Sequence, residues 1–389
     1  MPEIPGPEAS SSMPVPPNAL FPYMFWAHHE GLQSPYCLSQ SGMPAPDAGF
    51  LAASFQPHDL AAGLAHPCVE AQPAFEARIA ELLGVEPERV LVTLGASGAM
   101  QLAAQRWFRP GARVVAEVPS YEPLRRLPPL YGAELRPLPR RLECRWGLDP
   151  DEVGRLLGGA AGPGHAFVSN PNNPTGAWDG AEVIAAVARE AERAGGILVA
   201  NEVYMEFAPP ERRVHAFALA PNAVSIGSLT KAYGLGALRV GWLVLGEGLA
   251  AERTALLDTA YLGYVDPPTL SLQAALAALQ NLELLIGHYR RYEAESRPHL
   301  VRWLQETPGV ECLVPDFGLV AFPRLAGVDD TLALTRFLAA EEGVDAVPGE
   351  FFGAPGHLRL GFAVPEATLA EGLRRLSRGL KRFRGAISG

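Results

Sequence analysis

Lysine is nearly missing from this chain: of 32 basic residues only Lys231 and Lys381 are lysines, the rest being arginines. Chemistry that needs an amine nucleophile therefore has two side chains to draw on. Cysteine is scarce as well. The four cysteines, Cys37, Cys68, Cys144 and Cys312, form no CxxC pair and no other metal-ligand spacing, which reads as ordinary thiols in a reducing compartment and no metal centre. No apolar run reaches membrane-spanning length before Pro, Gly or charge interrupts it, and no basic-then-apolar segment follows Met1. The expectation is a cytoplasmic chain without membrane contact. An excess of positive charge is also lacking, since a net charge of −10 argues against a nucleic-acid surface and leaves a small molecule as the fitting partner.

What is present suits a packed protein. With 48% hydrophobic and 19% charged residues the chain is no disordered segment, and 389 residues suggest a large domain plus a smaller one. Residues 1 to about 50, rich in Pro, Ser and Gly, carry no sustained period and read as an extended arm. From Glu70 the pattern alternates. A helical spacing over Phe75–Leu83 leads to the apolar strand Val90–Thr93, the turn Gly95-Ala96-Ser97-Gly98 and a helix over Ala99–Phe108. Further strands are expected near 112–117, 133–138, 165–169, 196–200, 223–228 and 239–245, with helices over 122–131, 179–194 and 247–258. Such alternation predicts an α/β fold with a mostly parallel sheet covered by helices, whose ligand sits beyond the carboxyl ends of the strands. After Asp266-Pro267-Pro268 one long helix is expected from Thr269 to Glu306, with Leu272, Leu276, Leu279, Leu282 and Ile286 near one face. Strands near 317–322, 344–347 and 357–362 and helices around 330–341 and 365–380 then complete a smaller α+β domain. The expected division is 1–69 as the arm with part of the small domain, 70–265 as the large domain, and 266–389 as the connecting helix and small domain.

Two stretches carry chemistry. Asn170-Pro171-Asn172-Asn173-Pro174-Thr175-Gly176 follows the apolar strand His165–Val168. Many strand-to-helix turns are rich in these residues, yet amide side chains at a strand's end can also hydrogen-bond a planar ligand, with proline stiffening the backbone. The bond before Pro174 is a candidate for the cis form. The other stretch is Ser225-Ile226-Gly227-Ser228-Leu229-Thr230-Lys231, with Arg239 eight residues on. Hydroxyls, backbone N–H groups and a guanidinium there could hold a phosphate, and a desolvated Lys231 would present a neutral amine for imine formation. Lys381, among Arg374, Arg375, Arg378 and Arg382, reads as a solvated residue of a basic terminal helix.

NPNNPTG, then Asn-Glu-Val-Tyr, then Ser-x-x-Lys with its following Arg, resembles in order and spacing the fold-type I pyridoxal 5′-phosphate (PLP) aminotransferases of class I/II, the aspartate aminotransferase superfamily, over about residues 70–380. The resemblance implies that Lys231 carries PLP as a Schiff base and moves the Cα proton. It implies that Asn173 and Tyr204 contact the cofactor's phenolic oxygen, and that Tyr121 stacks on its ring. Ala96 and Ser97 at the start of a helix, with Ser228 and Arg239, would hold its phosphate. Arg359 would pair with the substrate's α-carboxylate, a role that Asn173 shares. Without the resemblance Arg359 reads as an ordinary arginine at a strand's edge. Implied too are an amino acid and a 2-oxo acid as partners, and a homodimer.

Two positions depart from the family pattern. Asn201 stands where an Asp keeps the ring nitrogen protonated, and it is expected beside that nitrogen as a neutral partner, with Glu202 on the opposite face of its strand. The only Asp between Asn170 and Lys231, Asp179, lies outside the motif. Upstream, Gly63-Leu64-Ala65-His66-Pro67 stands where the family has a Tyr reaching the partner subunit's phosphate, leaving His66 as the polar residue there. The expected reaction is transamination. Asn201 keeps open a different PLP reaction, β-elimination (C–S lysis) or decarboxylation, and a PLP-binding protein with reduced catalysis.

Overall fold

The computed structural model describes residues 15–16, 18–47, 49, 70–159 and 161–388. It opens with a helix, α1 (Pro22–His29), and a two-residue strand, β1 (Tyr36–Cys37). This differs from the extended arm expected of residues 1–50. Pro22 starts the helix with its fixed φ, and Tyr23 and Trp26, one turn apart, are the residues it buries.

Next comes α2 (Ala71–Leu83), then a seven-stranded sheet of β2 (Val90–Leu94), β3 (Arg113–Val118), β4 (Glu134–Pro139), β5 (Gly164–Ser169), β6 (Leu198–Asn201), β7 (Ala223–Ser228) and β8 (Val240–Leu245). Its order is β2-β8-β7-β6-β5-β3-β4. Neighbours from β7 through β4 run parallel, while β8 is antiparallel to both β2 and β7. Every residue of β5, β6 and β8 is buried, which is why these strands read as unbroken apolar runs. The helices between them are α3 (Gly95–Trp107), α4 (Pro123–Leu130), α5 (Pro150–Leu157), α6 (Ala181–Arg193), α7 (Ala216–Leu219) and α8 (Arg253–Gly263).

Two helices follow, α9 (Thr269–Gln280) and α10 (Leu282–Glu306), where one was expected. Between them the axis bends by 75°. Asn281 stands at the break, where its side-chain amide donates to the Ala277 carbonyl and takes up a polar group of the helix end. The leucine spacing runs through because both helices turn an apolar face inward. Taken singly, none of the described helices is long and apolar enough to cross a membrane.

The rest comprises β9 (Val310–Glu311), β10 (Val320–Ala321), β11 (Arg324–Leu325), α11 (Thr331–Glu342), β12 (Val344–Asp345), β13 (Val347–Pro348), β14 (Leu358–Gly361) and α12 (Glu366–Ser388). β14 is the middle strand of an antiparallel β10-β14-β13 sheet, and β1 pairs in parallel with β12. Residues 38–43 thereby pass between the two sheets. The Gly361 N–H donates to the Leu38 carbonyl at 2.7 Å, and the Met43 N–H donates to the Lys231 carbonyl at 2.8 Å.

Candidate active site

A cavity of about 510 Å³ opens where the sheet's strand ends meet α1, residues 38–43 and β14. Ala96, Ser97, Tyr121, Asn173, Asn201, Ser228, Lys231, Arg239 and Arg359 all line it. Of the ten residues singled out in the sequence only Tyr204 does not, and it is buried.

The Lys231 amine donates to the Ser41 hydroxyl at 2.9 Å. Removal from water, and then the Arg359 and Arg239 cations, bring its pKa down from 10.5 to about 7. Lys381 is exposed on α12.

Arg359 is fully buried, at 0% exposure, on the middle strand of its sheet and not at an edge. Its Nη2 donates to the Tyr23 hydroxyl at 3.0 Å and to the Ser39 carbonyl at 2.7 Å, its Nη1 donates to Asn173 Oδ1 at 3.3 Å, and its Nε has no partner. The rings of Tyr23 and Phe352 flank the guanidinium at 5.4 and 5.2 Å. Since arginine can only donate, the Asn173 amide must turn its oxygen to Arg359, which leaves its NH₂ as the free donor. Among the described residues no carboxylate pairs with Arg359 or with Arg239.

At the other end of the cavity Ala96 and Ser97 form the first turn of α3, where backbone N–H groups and the helix dipole favour an anion. Gly95 precedes them with φ +66°, a left-handed conformation that favours glycine, and a Cβ there would come within 2.7 Å of Arg239 Nη2, so the arginine passes close over this turn. Ser228 donates to the Thr230 hydroxyl at 2.8 Å. Asn201 Oδ1 and the Tyr204 hydroxyl are both buried without a hydrogen-bond partner. Glu202 faces the other side of its strand, as expected, and meets His215 Nδ1 at 2.7 Å and Ser225 Oγ at 2.8 Å.

The NPNNPTG turn is fastened from behind. Asn170 exchanges two hydrogen bonds with the Asp179 backbone, and Asn172 is tied to Glu117 and Thr175. Buried Arg140 joins Glu117 to Asp179, with contacts of 2.7 and 2.8 Å. The Asn170–Pro171 and Asn173–Pro174 bonds are cis, as is Val118–Pro119. Asn173 is thereby the asparagine of the turn that reaches the cavity.

The model of the aminotransferase class I and II family matches residues 65–376. The chain belongs to that family. Capreomycidine synthase of Streptomyces vinaceus is 31% identical over 296 residues, 74% of this chain and 73% of that protein. Among solved structures, a PLP-dependent aminotransferase from Streptococcus suis superposes with a TM-score of 0.84 at 26% identity, covering 95% of this chain and 99% of the other. The PLP-dependent cyclase OrfR does so with a TM-score of 0.81 at 27% identity, covering 98% and 99%. The chain is thus a PLP enzyme of the aminotransferase family, with the α/β fold of its relatives.

The residues present in this aminotransferase-family site fit that cofactor. A phosphate is met by the α3 N-terminus and by Arg239, which has no carboxylate partner among the described residues. A planar ring bearing polar atoms is met by a buried amide oxygen and a buried hydroxyl that lack partners, and an aldehyde by an amine of lowered pKa.

Several lining residues had escaped the sequence reading: Tyr23, Met24 and His28 on α1, and Ser41. Proline at the helix start and aromatics one turn apart are the signal that marks α1, whereas nothing local marks Ser41. His66 and the Gly63–Pro67 stretch lie outside the described residues.

Proposed function

We propose that this protein is an aminotransferase that uses Lys231 to move the α-proton of an amino acid and passes the amino group to a 2-oxo acid. The observation that carries the reading is the Lys231 amine, with a pKa near 7, in a cavity whose two arginines have no carboxylate partner among the described residues. When bound, PLP supplies the carbonyl that accepts the amino group and the electron sink that makes the α-proton acidic. Lys231 would anchor it, and its freed Nζ would take the proton from Cα and return it. Arg359 would grip the α-carboxylate through its unsatisfied N–H donors, with the Asn173 oxygen fixing the guanidinium plane. Ser97, the Ala96 backbone, Ser228 and Arg239 would hold the phosphate. Asn173 NH₂ and the Tyr204 hydroxyl would donate to the phenolic oxygen, Tyr121 would cover the ring, and Asn201 would meet the ring nitrogen. We further propose residues 70–265 as the large cofactor domain and 266–389 with the amino-terminal strand as the smaller one. A cytoplasmic setting suits the free thiols of Cys37, Cys144 and Cys312. A homodimer suits the exposed apolar Tyr261, Leu262 and Val265.

Asn201 favours a second reading. A neutral amide cannot balance a pyridinium charge, so the sink is weaker and loss of a β-substituent, with or without ring closure, gains over transfer of the amino group. Relatedness to a synthase and a cyclase supports it. Borohydride reduction and peptide mapping should place a pyridoxyl group on Lys231. An amino-acid panel should then yield pyridoxamine phosphate and a 2-oxo acid in equal amounts. Ammonia release, or a cyclised product that keeps its nitrogen, would select the second reading, and labelling at Lys381 would sink both.

A further inference from the structure

We propose that Ser41 is a positioning residue for the proton-moving amine: its hydroxyl holds the free Lys231 Nζ and sets where it points and how tightly it keeps a proton. This rests on the reading of Lys231 given above.

Three features support it. The 2.9 Å hydrogen bond to Ser41 Oγ is the one that Nζ makes among the described residues, and a four-carbon side chain needs such an anchor to present its amine in a single place. Ser41 is itself held rigidly. A Cβ on Gly361 would collide with the Gln40 carbonyl, so the segment lies directly on β14, the strand of Arg359. On its other side, a Cβ on Gly42 would lie 3.2 Å from Lys231 Cα, and the Met43 N–H bonds the Lys231 carbonyl. The serine is therefore clamped between the carboxylate-binding strand and the lysine.

The charges around the amine give the third. Lining the cavity with it are Arg359 from β14, Arg239 ahead of β8, Tyr121 after β3, and Tyr23 and His28 from α1, with no carboxylate among the lining residues described. Both arginines oppose the ammonium. Ser41 accepts from it and so favours it. The buried Tyr204 hydroxyl is pushed up to about 12 by its removal from water, against the smaller opposing effect of the Arg359 cation. It stays a neutral donor over the working range.

The test exploits the near absence of lysine. On the full chain stripped of cofactor, trace acetylation across a pH series followed by peptide mapping reads the titration of Lys231, with Lys381 as the solvated reference. In the wild type Lys231 reactivity should rise with a midpoint near 7. Ser41→Ala should lower that midpoint by about one pH unit, the loss expected for one hydrogen bond to a charged group. Ser41→Thr, which keeps the hydroxyl, should restore it. In the PLP-loaded enzyme, Ser41→Ala should slow exchange of an amino acid's α-proton for deuterium about tenfold with KM unchanged, the equivalent of one such unit. An unmoved or raised midpoint, a shift that threonine fails to reverse, or an unchanged exchange rate overturns the inference. Borohydride mapping of the same variants separates the two levels. Pyridoxyl on Lys231 with an unmoved midpoint sinks the role of Ser41 alone, while no pyridoxyl on Lys231 sinks the proposed function and this inference together.

Discussion

Asn201 and His215 show how single groups in and beneath the site can be put to measurement. The Asn201 amide oxygen is buried without a partner among the described residues, in a cavity that Lys231, Arg239 and Arg359 also line. Asn201→Asp would place a carboxylate there, and a charge-assisted hydrogen bond to a ring nitrogen is worth about 1.5–3 kcal/mol. In a transaminase the variant should speed α-proton exchange about tenfold or more, as read by deuterium incorporation. In an eliminating or cyclising enzyme it should instead lower native turnover and raise 2-oxo acid formation. On the far side of β6, His215 is governed by two opposed effects. Burial alone lowers its pKa, but the hydrogen bond and charge of Glu202, with Glu206 adding and Arg213 opposing, raise it above 6.5. A raised folded-state value means stability that is complete below the unfolded pKa and disappears as pH climbs through the folded one. The unfolding midpoint of wild type should therefore exceed that of His215→Gln most clearly below pH 6.5, and the gap should close at alkaline pH.

Among the elements, the turn after β5 depends on charges far from any ligand. Arg140 keeps its proton above the ordinary arginine range because Asp179 and Glu117 outweigh the cost of burying it. Arg140→Met would leave both carboxylates buried and unpaired, and should cost about 3–5 kcal/mol in urea denaturation. Glu117→Gln keeps an acceptor for the Ser169 N–H and hydroxyl and should cost clearly less. Equal losses for the two variants would mean that the triad holds nothing in place. At this scale the sequence was legible wherever an element carries its own signal. Most strands of the main sheet announce themselves as apolar runs, edge strand β4 (Glu134–Pro139) excepted, and NPNNPTG as a turn. Asp149 and Pro150, an N-cap that accepts from two backbone N–H groups and a proline at the first position, mark α5, which was nevertheless not among the helices expected from the sequence. The break at Asn281 was hidden because the leucine period continues through it.

For the whole molecule, the open question with a direct measurement is self-association. Leu262 is 91% exposed at the end of α8, beside Tyr261 and Val265. If these residues form a contact between copies, Leu262→Glu should weaken the dimer about tenfold or more in sedimentation, since burying a leucine is worth about 1.5–3 kcal/mol, while the fold, which does not bury this side chain, stays intact. A dimer unaffected by the glutamate would put the interface elsewhere.

Sequence alone determined the family and the cofactor, because those rest on residue types at short, fixed spacings along strands whose ends must face one side of a parallel sheet. It also carried nine of the ten expected residues to one cavity, since each sits within a few residues of such an end or on the strand bearing Arg359. Only the tertiary structure decided that α1 and Ser41 belong to the site. Tyr23 reaches Arg359 across 336 positions and Ser41 reaches Lys231 across 190, and nothing in a local pattern encodes a contact made when two sheets close over the segment between them.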